Sequence, residues 1–148
     1  MFRKIRKEDK ELYMKYVDIF YNSDVVNAPV PKKNYEVTFN EIMKSETYLS
    51  CYIFEHDATP CGFCLLSKTF SQEAGGYSVT FEEIYIEPEY RGKGLATEFF
   101  EYCKKNIDAA RFRIEVEADN EGARRLYERM GFELLPYQQM VIDKCRGN

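Results

Sequence analysis

The stretch Tyr-Arg-Gly-Lys-Gly-Leu-Ala-Thr-Glu-Phe-Phe, residues 90 to 100, alternates glycines with basic side chains and then becomes helical in pattern. A loop that enters a helix exposes unpaired amide N–H groups at the positive end of the helix dipole, and glycine lets a ligand approach that backbone. Arg91 and Lys93 add positive charge, and Thr97 adds a hydroxyl. The combination predicts a phosphate or pyrophosphate site, although an ordinary turn with solvated charges accounts for two glycines alone about equally well.

Two common phosphate-binding motifs do not fit this loop. A P-loop needs Gly-Lys followed by Ser or Thr, whereas Lys93 is followed by Gly94. A dinucleotide fingerprint needs Gly-x-Gly-x-x-Gly at the first turn of a βαβ unit, whereas Gly92 and Gly94 are followed by Leu-Ala-Thr and lie past the midpoint of the chain. The loop therefore indicates neither an ordinary Walker motif nor a Rossmann site.

The elements that must position the loop lie on either side of it. Residues 77–87 predict a long strand that Pro88 ends, and the loop follows three residues later. Apolar residues at helical spacing then lead to an alternating segment, residues 111–117, that predicts another strand. This order predicts a crossover connection, which makes the two strands parallel neighbours with the helix on one face of the sheet.

Two adjacent carboxylates lie in the strand before the loop. Strict alternation predicts Glu82 on the same face as Ile84 and Ile86, and Glu83 on the opposite face with Phe81 and Tyr85. The two carboxylates are therefore expected to face different environments.

The remaining elements are predicted from periodicity and turn residues. Two amphipathic helices occupy the first third of the chain, one from about Asp9 and one with the stripe Tyr35, Phe39 and Ile42, joined by a loop that includes Asn27. The predicted strands are residues 2–6, 48–55, 61–66, 132–135 and 137–143. Asn120 is expected to cap a last helix that runs to Met130 and ends at Gly131.

Length and composition predict one globular domain spanning residues 1–148. A chain of 148 residues with 45% hydrophobic and 16% aromatic content can bury a sizeable core. The net charge of −4 argues against nucleic acid or an anionic membrane as the main partner, because the basic residues are interspersed with acids. The N-terminus is charged from its third residue and leads into no long apolar stretch, so we expect no signal peptide, no membrane span and a cytoplasmic location.

The five cysteines predict reduced thiols rather than a disulfide framework, because their number is odd and they are scattered over element positions. Cys61 and Cys64 have the spacing of a redox or zinc motif. No second pair or nearby histidine completes four ligands, and we therefore predict no metal site.

Two segments in the same order resemble the GCN5-related N-acetyltransferase (GNAT) family. The first is Ile84-Tyr-Ile-Glu-Pro88 followed by Arg91, Gly94 and Ala96, which matches that family's pyrophosphate loop after a strand ending in hydrophobic-x-Pro. The second, Asn120-Glu-Gly-Ala-Arg-Arg-Leu-Tyr-Glu-Arg-Met-Gly-Phe132, matches the family's Asn-x-x-Ala-x-x-x-Tyr-x-x-x-Gly-Phe segment. The element order agrees over the whole chain, although the region before about residue 48 matches only in pattern. The resemblance implies a mixed α+β fold, with a mostly antiparallel sheet of about six to seven strands flanked by about four helices.

The resemblance also implies acetyl-CoA as the co-substrate and a single-step transfer of its acetyl group to an amine. The pyrophosphate is expected on the loop residues Arg91, Gly92, Lys93, Gly94, Leu95, Ala96 and Thr97. Backbone groups of Ile84, Tyr85 and Ile86 are expected to pair with the extended pantetheine as if it were another strand. A backbone amide of this strand is also expected to stabilise the thioester oxyanion.

The chemistry needs a proton acceptor and a proton donor. An alkylamine is mostly protonated at neutral pH, so a base must take its proton, directly or through water. Glu82 is the preferred base because alternation places it on the face of Ile84 and Ile86, with Glu83 or water as alternatives. By the resemblance, Tyr127 protonates the departing thiolate. Asn120, seven residues earlier, is expected to share its helix face and contact the cofactor, or else only to cap the helix.

The sequence does not name the acceptor amine. By the resemblance, the early helices build much of the acceptor pocket. Most of their aromatic residues are expected in the core, whereas part of the region from Tyr21 to Tyr35 and the 70–77 loop with Glu73 are expected to shape the mouth of the pocket. The main alternative to an enzyme is a regulatory module that binds acyl-CoA without turnover. Family members often dimerise through terminal strands, so a homodimer is expected by analogy.

Overall fold

A computed structural model describes residues 1–23 and 29–144 of the chain. The predicted loop residue Asn27 and Cys145 lie outside the described residues. The elements are β1 (Phe2–Lys4), α1 (Lys10–Tyr21), α2 (Lys32–Lys44), β2 (Leu49–His56), β3 (Thr59–Ser71), β4 (Gly76–Ile86), α3 (Leu95–Asn106), β5 (Arg111–Ile114) and α4 (Glu121–Arg129). Short 3₁₀ turns lie at Lys7–Asp9 and Pro88–Tyr90.

The strands form one sheet in the order β1-β2-β3-β4-β5. All neighbours are antiparallel except β4 and β5, which are parallel. Because α3 connects β4 to β5, the predicted crossover is confirmed. The mixed α+β fold with four α-helices is confirmed as well.

The predicted strand number is too high. The sheet of the described residues has five strands, and residues 132–135 and 137–143 form none. Apolar residues of this C-terminal segment are exposed, with Met140 99% and Ile142 94% accessible. An alternating pattern gives a strand only where a partner edge supplies hydrogen bonds, and here the segment does not pair with β5. The structure also ends β5 at Ile114, three residues earlier than predicted.

Each face of the sheet carries its own core. Phe99 and Phe100 of α3 pack against one face, around Phe81 of β4. Tyr13 and Tyr16 of α1 pack with Phe39 of α2 and with the opposite face of the sheet. The amphipathic stripes predicted for these helices are therefore the buried stripes.

A β-bulge interrupts β4 within the predicted active-site strand. Leu65 of β3 pairs with Glu83, and Leu66 pairs with Phe81, so that Glu82 has no partner in the register. The predicted alternation is therefore wrong across Glu82. Phe81 belongs to the α3 core with Ile84 and Ile86, whereas Tyr85 packs in the α1–α2 core. One extra residue changes which side chains share a face.

Candidate active site

The glycine loop joins the end of β4 to the start of α3. Gly92 and Gly94 have φ angles of 73° and 81°, in the left-handed region that glycine adopts without strain. Gly94 is the N-cap of α3, and its carbonyl accepts a hydrogen bond from the Glu98 amide at 2.9 Å. Within the described residues, no hydrogen bond occupies the amides of Leu95, Ala96 and Thr97. The loop thus leaves the first-turn donors of α3 available to an anion.

Arg91 packs against the end of β4. Its Nε donates to the Ile86 carbonyl at 2.8 Å, and its guanidinium carbon lies 5.9 Å from the Tyr85 ring centroid. Lys93 is exposed. Of the two predicted cationic side chains, Arg91 therefore also fixes the loop to the strand.

The second half of β4 has a free edge. β5 pairs only with Ser78–Phe81, over Arg111–Ile114. Beyond Phe81, the segment that contains Ile84, Tyr85 and Ile86 has β3 on one side and no strand of the described residues on the other. An extended ligand could therefore pair with this edge of the backbone.

Tyr127 of α4 lies in the α3-side core with Ile84, Ile86, Leu95 and Ala96. Its ring packs edge-on against Phe100 and Phe132, at centroid distances of 6.2 Å and 6.0 Å. Its hydroxyl has no hydrogen-bond partner in the part of the chain that the structure describes. Burial raises the pKa of Tyr127, with a smaller contribution from the neighbouring Cys64 thiol. The phenol is therefore protonated at neutral pH and can donate a proton.

Asn120 caps α4, as the sequence predicts. Its side-chain oxygen accepts a hydrogen bond from the Ala123 amide at 3.1 Å. The predicted contact between Asn120 and the cofactor stays a prediction, because the side-chain oxygen is already engaged by the helix.

The two carboxylates of β4 have different environments. Glu82, the bulge residue, is exposed and accepts a hydrogen bond from the Ser67 hydroxyl at 2.6 Å. Glu83 is 6% exposed and lies against the α1–α2 side, where the Tyr21 hydroxyl donates to its Oε1. Its Oε2 is buried and has no hydrogen-bond partner among the residues that the structure describes.

Burial raises the pKa of Glu83 from 4.5 to about 7. The hydrogen bond from Tyr21 opposes this rise, and the negative charge of Glu82 adds to it. A carboxyl group with a pKa near neutrality can both take and release a proton under physiological conditions. The contact between Tyr21 and Glu83 has no signal in the sequence, because the two residues are 62 positions apart.

A cleft of about 810 Å³ opens between the β4–β5 pair, α4 and the C-terminal segment. Its lining includes Glu82, Tyr127 and the rings of Phe81, Phe100 and Phe132. No residue of the glycine loop and no atom of Glu83 lines it. The cleft therefore gives access to Tyr127, and the loop and Glu83 lie outside it.

Metal ligands and membrane-spanning helices are absent from the parts of the chain that the structure describes. No group of three or more His, Cys, Asp or Glu residues in residues 1–23 and 29–144 could hold a metal ion. No helix in the same ranges has the length and apolar character needed to cross a bilayer.

Residues 10–132 match the family described as the acetyltransferase (GNAT) family. No curated protein matches the sequence significantly. Solved structures resemble the fold at low sequence identity. One is an integron cassette protein from the mobile metagenome of Cole Harbour Salt Marsh, with a TM-score of 0.80 at 18% identity over 97% of this chain and 90% of that one.

Two further structures carry acetyltransferase descriptions. A possible acetyltransferase from Clostridium difficile 630 has a TM-score of 0.79 at 17% identity, over 97% of this chain and 96% of that one. AAC(6')-Iy, in complex with the bisubstrate analogue CoA-S-monomethyl-acetylneamine, has a TM-score of 0.78 at 16% identity, over 98% of each chain.

Proposed function

Because the chain belongs to the acetyltransferase (GNAT) family, we propose that it transfers the acetyl group of acetyl-CoA directly to a primary amine of a small molecule or protein. The observation that carries the proposal is the glycine loop. Two left-handed glycines and three unoccupied amides at the start of α3 adjoin a β4 edge that has no partner strand beyond Phe81. A diphosphate with an extended arm is the kind of ligand that needs both features.

The proposed cofactor residues are those that the family motif matches. The amides from Gly92 to Thr97, with Lys93, would hold the diphosphate, and the edge of β4 at Ile84–Ile86 would hold the pantetheine. Arg91 would support this arrangement, since it ties the loop to the Ile86 carbonyl. Acetyl-CoA supplies an activated thioester, so the main tasks of the protein are to position the reactants and handle protons.

The base that the geometry favours is Glu83 rather than the exposed Glu82. Along β4 beyond the bulge, Tyr127 approaches from the α3 face and Glu83 lies on the α1–α2 face. The free edge of the strand lies between these faces, so a thioester there would have a proton donor on one side and an acceptor on the other.

The proposed reaction balances as follows. An N–H bond of the ammonium form of the acceptor breaks as its proton passes to Glu83, directly or through water, and the neutral amine nitrogen attacks the acetyl carbonyl carbon. The C–N bond forms and the C–S bond breaks, with the Tyr127 O–H protonating the departing thiolate. The nitrogen loses its second proton to the Tyr127 phenolate, directly or through water, which leaves the neutral amide, and Glu83 releases its proton to solvent.

The acceptor is proposed to be a cationic amine. Burial raises the pKa of Tyr35, Asp18 and Glu83 add to that rise, and Tyr21 stacks on Tyr35 at 5.9 Å. Aromatic faces and carboxylates together favour an ammonium group. The bisubstrate analogue bound by AAC(6')-Iy carries an acetylneamine, so amino sugars are the first class of acceptor to assay.

The test is release of free CoA thiol from acetyl-CoA with a panel of amino sugars, polyamines and peptide amines. Amine-dependent thiol release, with the acetylated amine identified by mass spectrometry, is the expected result. Tight binding of CoA by calorimetry with no acetylation of any amine would instead favour an acyl-CoA-binding regulatory module. Absence of CoA binding would exclude both functions.

A further inference from the structure

Tyr21, the last residue of α1, makes the direct contact between the helical layer and Glu83. Its hydroxyl donates to Glu83 Oε1, while Glu83 Oε2 is buried and finds no partner in residues 1–23 and 29–144. The carboxylate is thus held on one oxygen only. A buried oxygen without a partner is destabilising, and an N–H or O–H donor that reaches it would remove that strain.

The Tyr21 ring is itself fixed by its neighbours. It stacks on Tyr35 of α2 with an interplanar angle of 18°, and it meets Phe20 edge-on at 5.1 Å. Burial raises the pKa of Tyr21, so its hydroxyl keeps its proton and acts as a donor to Glu83. These contacts aim the O–H at Oε1 and leave Oε2 without a donor among the described residues.

We propose that Tyr21 is a positioning residue for acetyl transfer, which holds the Glu83 carboxylate by Oε1 so that Oε2 takes the proton of the acceptor amine. The proposal rests on the proposed function. The partner that Oε2 lacks would then be the amine, or the water that carries its proton. Tyr21 would act through Glu83 and need not touch either substrate.

Within the described residues, titratable groups interact electrostatically with Glu83 from both sides of the sheet. Those on the α1–α2 side are Tyr13 and Tyr21 of α1, Tyr35 of α2 and Cys51 of β2, and the others are Cys64 of β3, which packs in the α3-side core, and Glu82 of β4. None of these groups is cationic. The Tyr21 hydrogen bond is therefore the interaction that favours the ionised carboxylate, against burial and the charge of Glu82.

The test substitutes Tyr21→Phe, which keeps the ring and removes the hydroxyl. Loss of this buried hydrogen bond to a charged carboxylate should raise the titration midpoint of Glu83 by about one pH unit. We expect this rise in the carbon-13 NMR titration of labelled glutamate, with the Glu83 signal assigned by its loss in Glu83→Gln. The acidic limb of the kcat/KM profile should move upward by the same amount, with the affinity for CoA unchanged.

The matched control is Tyr16→Phe. Tyr16 also lies on α1, is fully buried, and donates its hydroxyl to a carboxylate, Glu87, at 3.1 Å. This control should move neither the Glu83 titration nor the acidic limb. A loss of packing common to both variants would affect them alike, whereas loss of positioning affects only Tyr21→Phe.

Two outcomes overturn the proposal. One is a Glu83 midpoint that is the same in Tyr21→Phe and in the wild-type protein. The other is a midpoint that moves while the acidic limb stays in place, because Glu83 then does not control the rate. The NMR titration needs no turnover, so a wild-type protein that acetylates no amine overturns the proposed function on separate evidence.

Discussion

Glu82 and Glu83 are adjacent in the chain but differ sharply in environment. Glu82 is exposed at the bulge and bonds to Ser67, whereas Glu83 is buried and bonds to Tyr21. Burial raises the pKa of Glu83 to about 7, which suits a group that takes a proton near neutral pH. At the scale of single residues, burial is therefore the property that favours Glu83 as the proposed base.

Glu83→Gln should lower kcat/KM for the acceptor amine by about 10²-fold or more, because it removes the proposed proton acceptor. Glu82→Gln should lower it by about fivefold or less, since only one exposed hydrogen bond is lost. Steady-state kinetics of thiol release at saturating acetyl-CoA measures both. A larger loss of kcat/KM in Glu82→Gln than in Glu83→Gln would favour Glu82, the base preferred from the sequence.

Tyr127→Phe should reduce kcat by roughly 10² to 10³-fold, because it removes the proposed donor to the thiolate. CoA affinity should stay near the wild-type value, since the ring that packs on Phe100 and Phe132 is retained. Turnover assays and calorimetry separate the two effects. The control Tyr102→Phe removes a hydroxyl from α3 in the same core, and it should preserve turnover. A weakened affinity with intact kcat would assign Tyr127 to cofactor binding instead.

At the scale of elements, two local deviations from regular structure shape the site. The bulge at Glu82 turns Glu83 and Tyr85 away from the face of Phe81. The left-handed glycines at 92 and 94 end the loop so that α3 begins with unoccupied amides. Each deviation depends on backbone geometry, and each is adjacent to the free edge of β4.

Gly94→Glu should abolish measurable CoA binding, because a carboxylate at the N-cap of α3 would enter the space expected for the diphosphate. A control at another left-handed glycine separates the effect of backbone strain on CoA binding from the effect of the added charge. Gly75→Glu is the matched control, since Gly75 has a φ angle of 75° and, like Gly94, no atom within 4 Å of an added Cβ. Calorimetric titration with CoA should show loss of binding in the first variant only. Equal affinity in two folded variants would contradict the cofactor assignment.

Gly62→Ala should destabilise the fold by about 1–3 kcal/mol, because β3 and β4 approach closely at this residue. A Cβ on Gly62 would lie 2.2 Å from the Tyr85 carbonyl oxygen and 3.0 Å from the Ile86 Cα, both backbone atoms. Gly122→Ala in α4 is the control, and it should be neutral or stabilising by up to about 1 kcal/mol. Urea unfolding measures both changes. A Gly62→Ala protein as stable as the wild type would show that β3 and β4 can separate at this point without loss of stability.

At the scale of the whole molecule, the sheet separates two helical layers. The α3–α4 layer holds the glycine loop and Tyr127, and the α1–α2 layer holds Glu83 and Tyr21. The C-terminal segment beyond Gly131 pairs with no strand of the described residues, and the outer edge of β5 is open there. Dimerisation through terminal strands stays a prediction from the family resemblance.

The unfolding free energy should depend on pH through Glu83. Its folded pKa of about 7 exceeds the ordinary value of 4.5, so the folded protein keeps a proton that the unfolded chain loses. The stabilising contribution is complete below about pH 4.5 and is lost as the pH rises through 7. Relative to Glu83→Gln, the wild type should lose roughly 3 kcal/mol over this range.

Chemical denaturation at pH 4.5 to 8 measures this dependence. In Glu82→Gln the loss of stability with rising pH should persist because Glu83 is retained, and its midpoint should fall slightly because the Glu82 charge adds to the raised pKa of Glu83. A constant difference between the wild type and Glu83→Gln at every pH would show that Glu83 is not perturbed in the folded protein.

The sequence by itself determined the features that depend on local pattern. The helices around Tyr13 and Phe99, the crossover from β4 to β5, the cap at Asn120 and the glycine loop all follow from periodicity, turn residues and capping chemistry. Each of these signals involves residues that are close together in the chain, so the amino-acid sequence alone is enough to detect it. The family resemblance rests on the same local motifs.

Only the tertiary structure decided which side chains meet. The bulge at Glu82 depends on the register between β3 and β4, and register is set by packing on both faces of the sheet. The missing C-terminal strands depend on whether a partner edge is available. The contact of Tyr21 with Glu83 joins α1 to β4 across 62 residues. Burial and hydrogen bonding between distant segments have no local pattern, and they determine which carboxylate can exchange a proton near neutral pH.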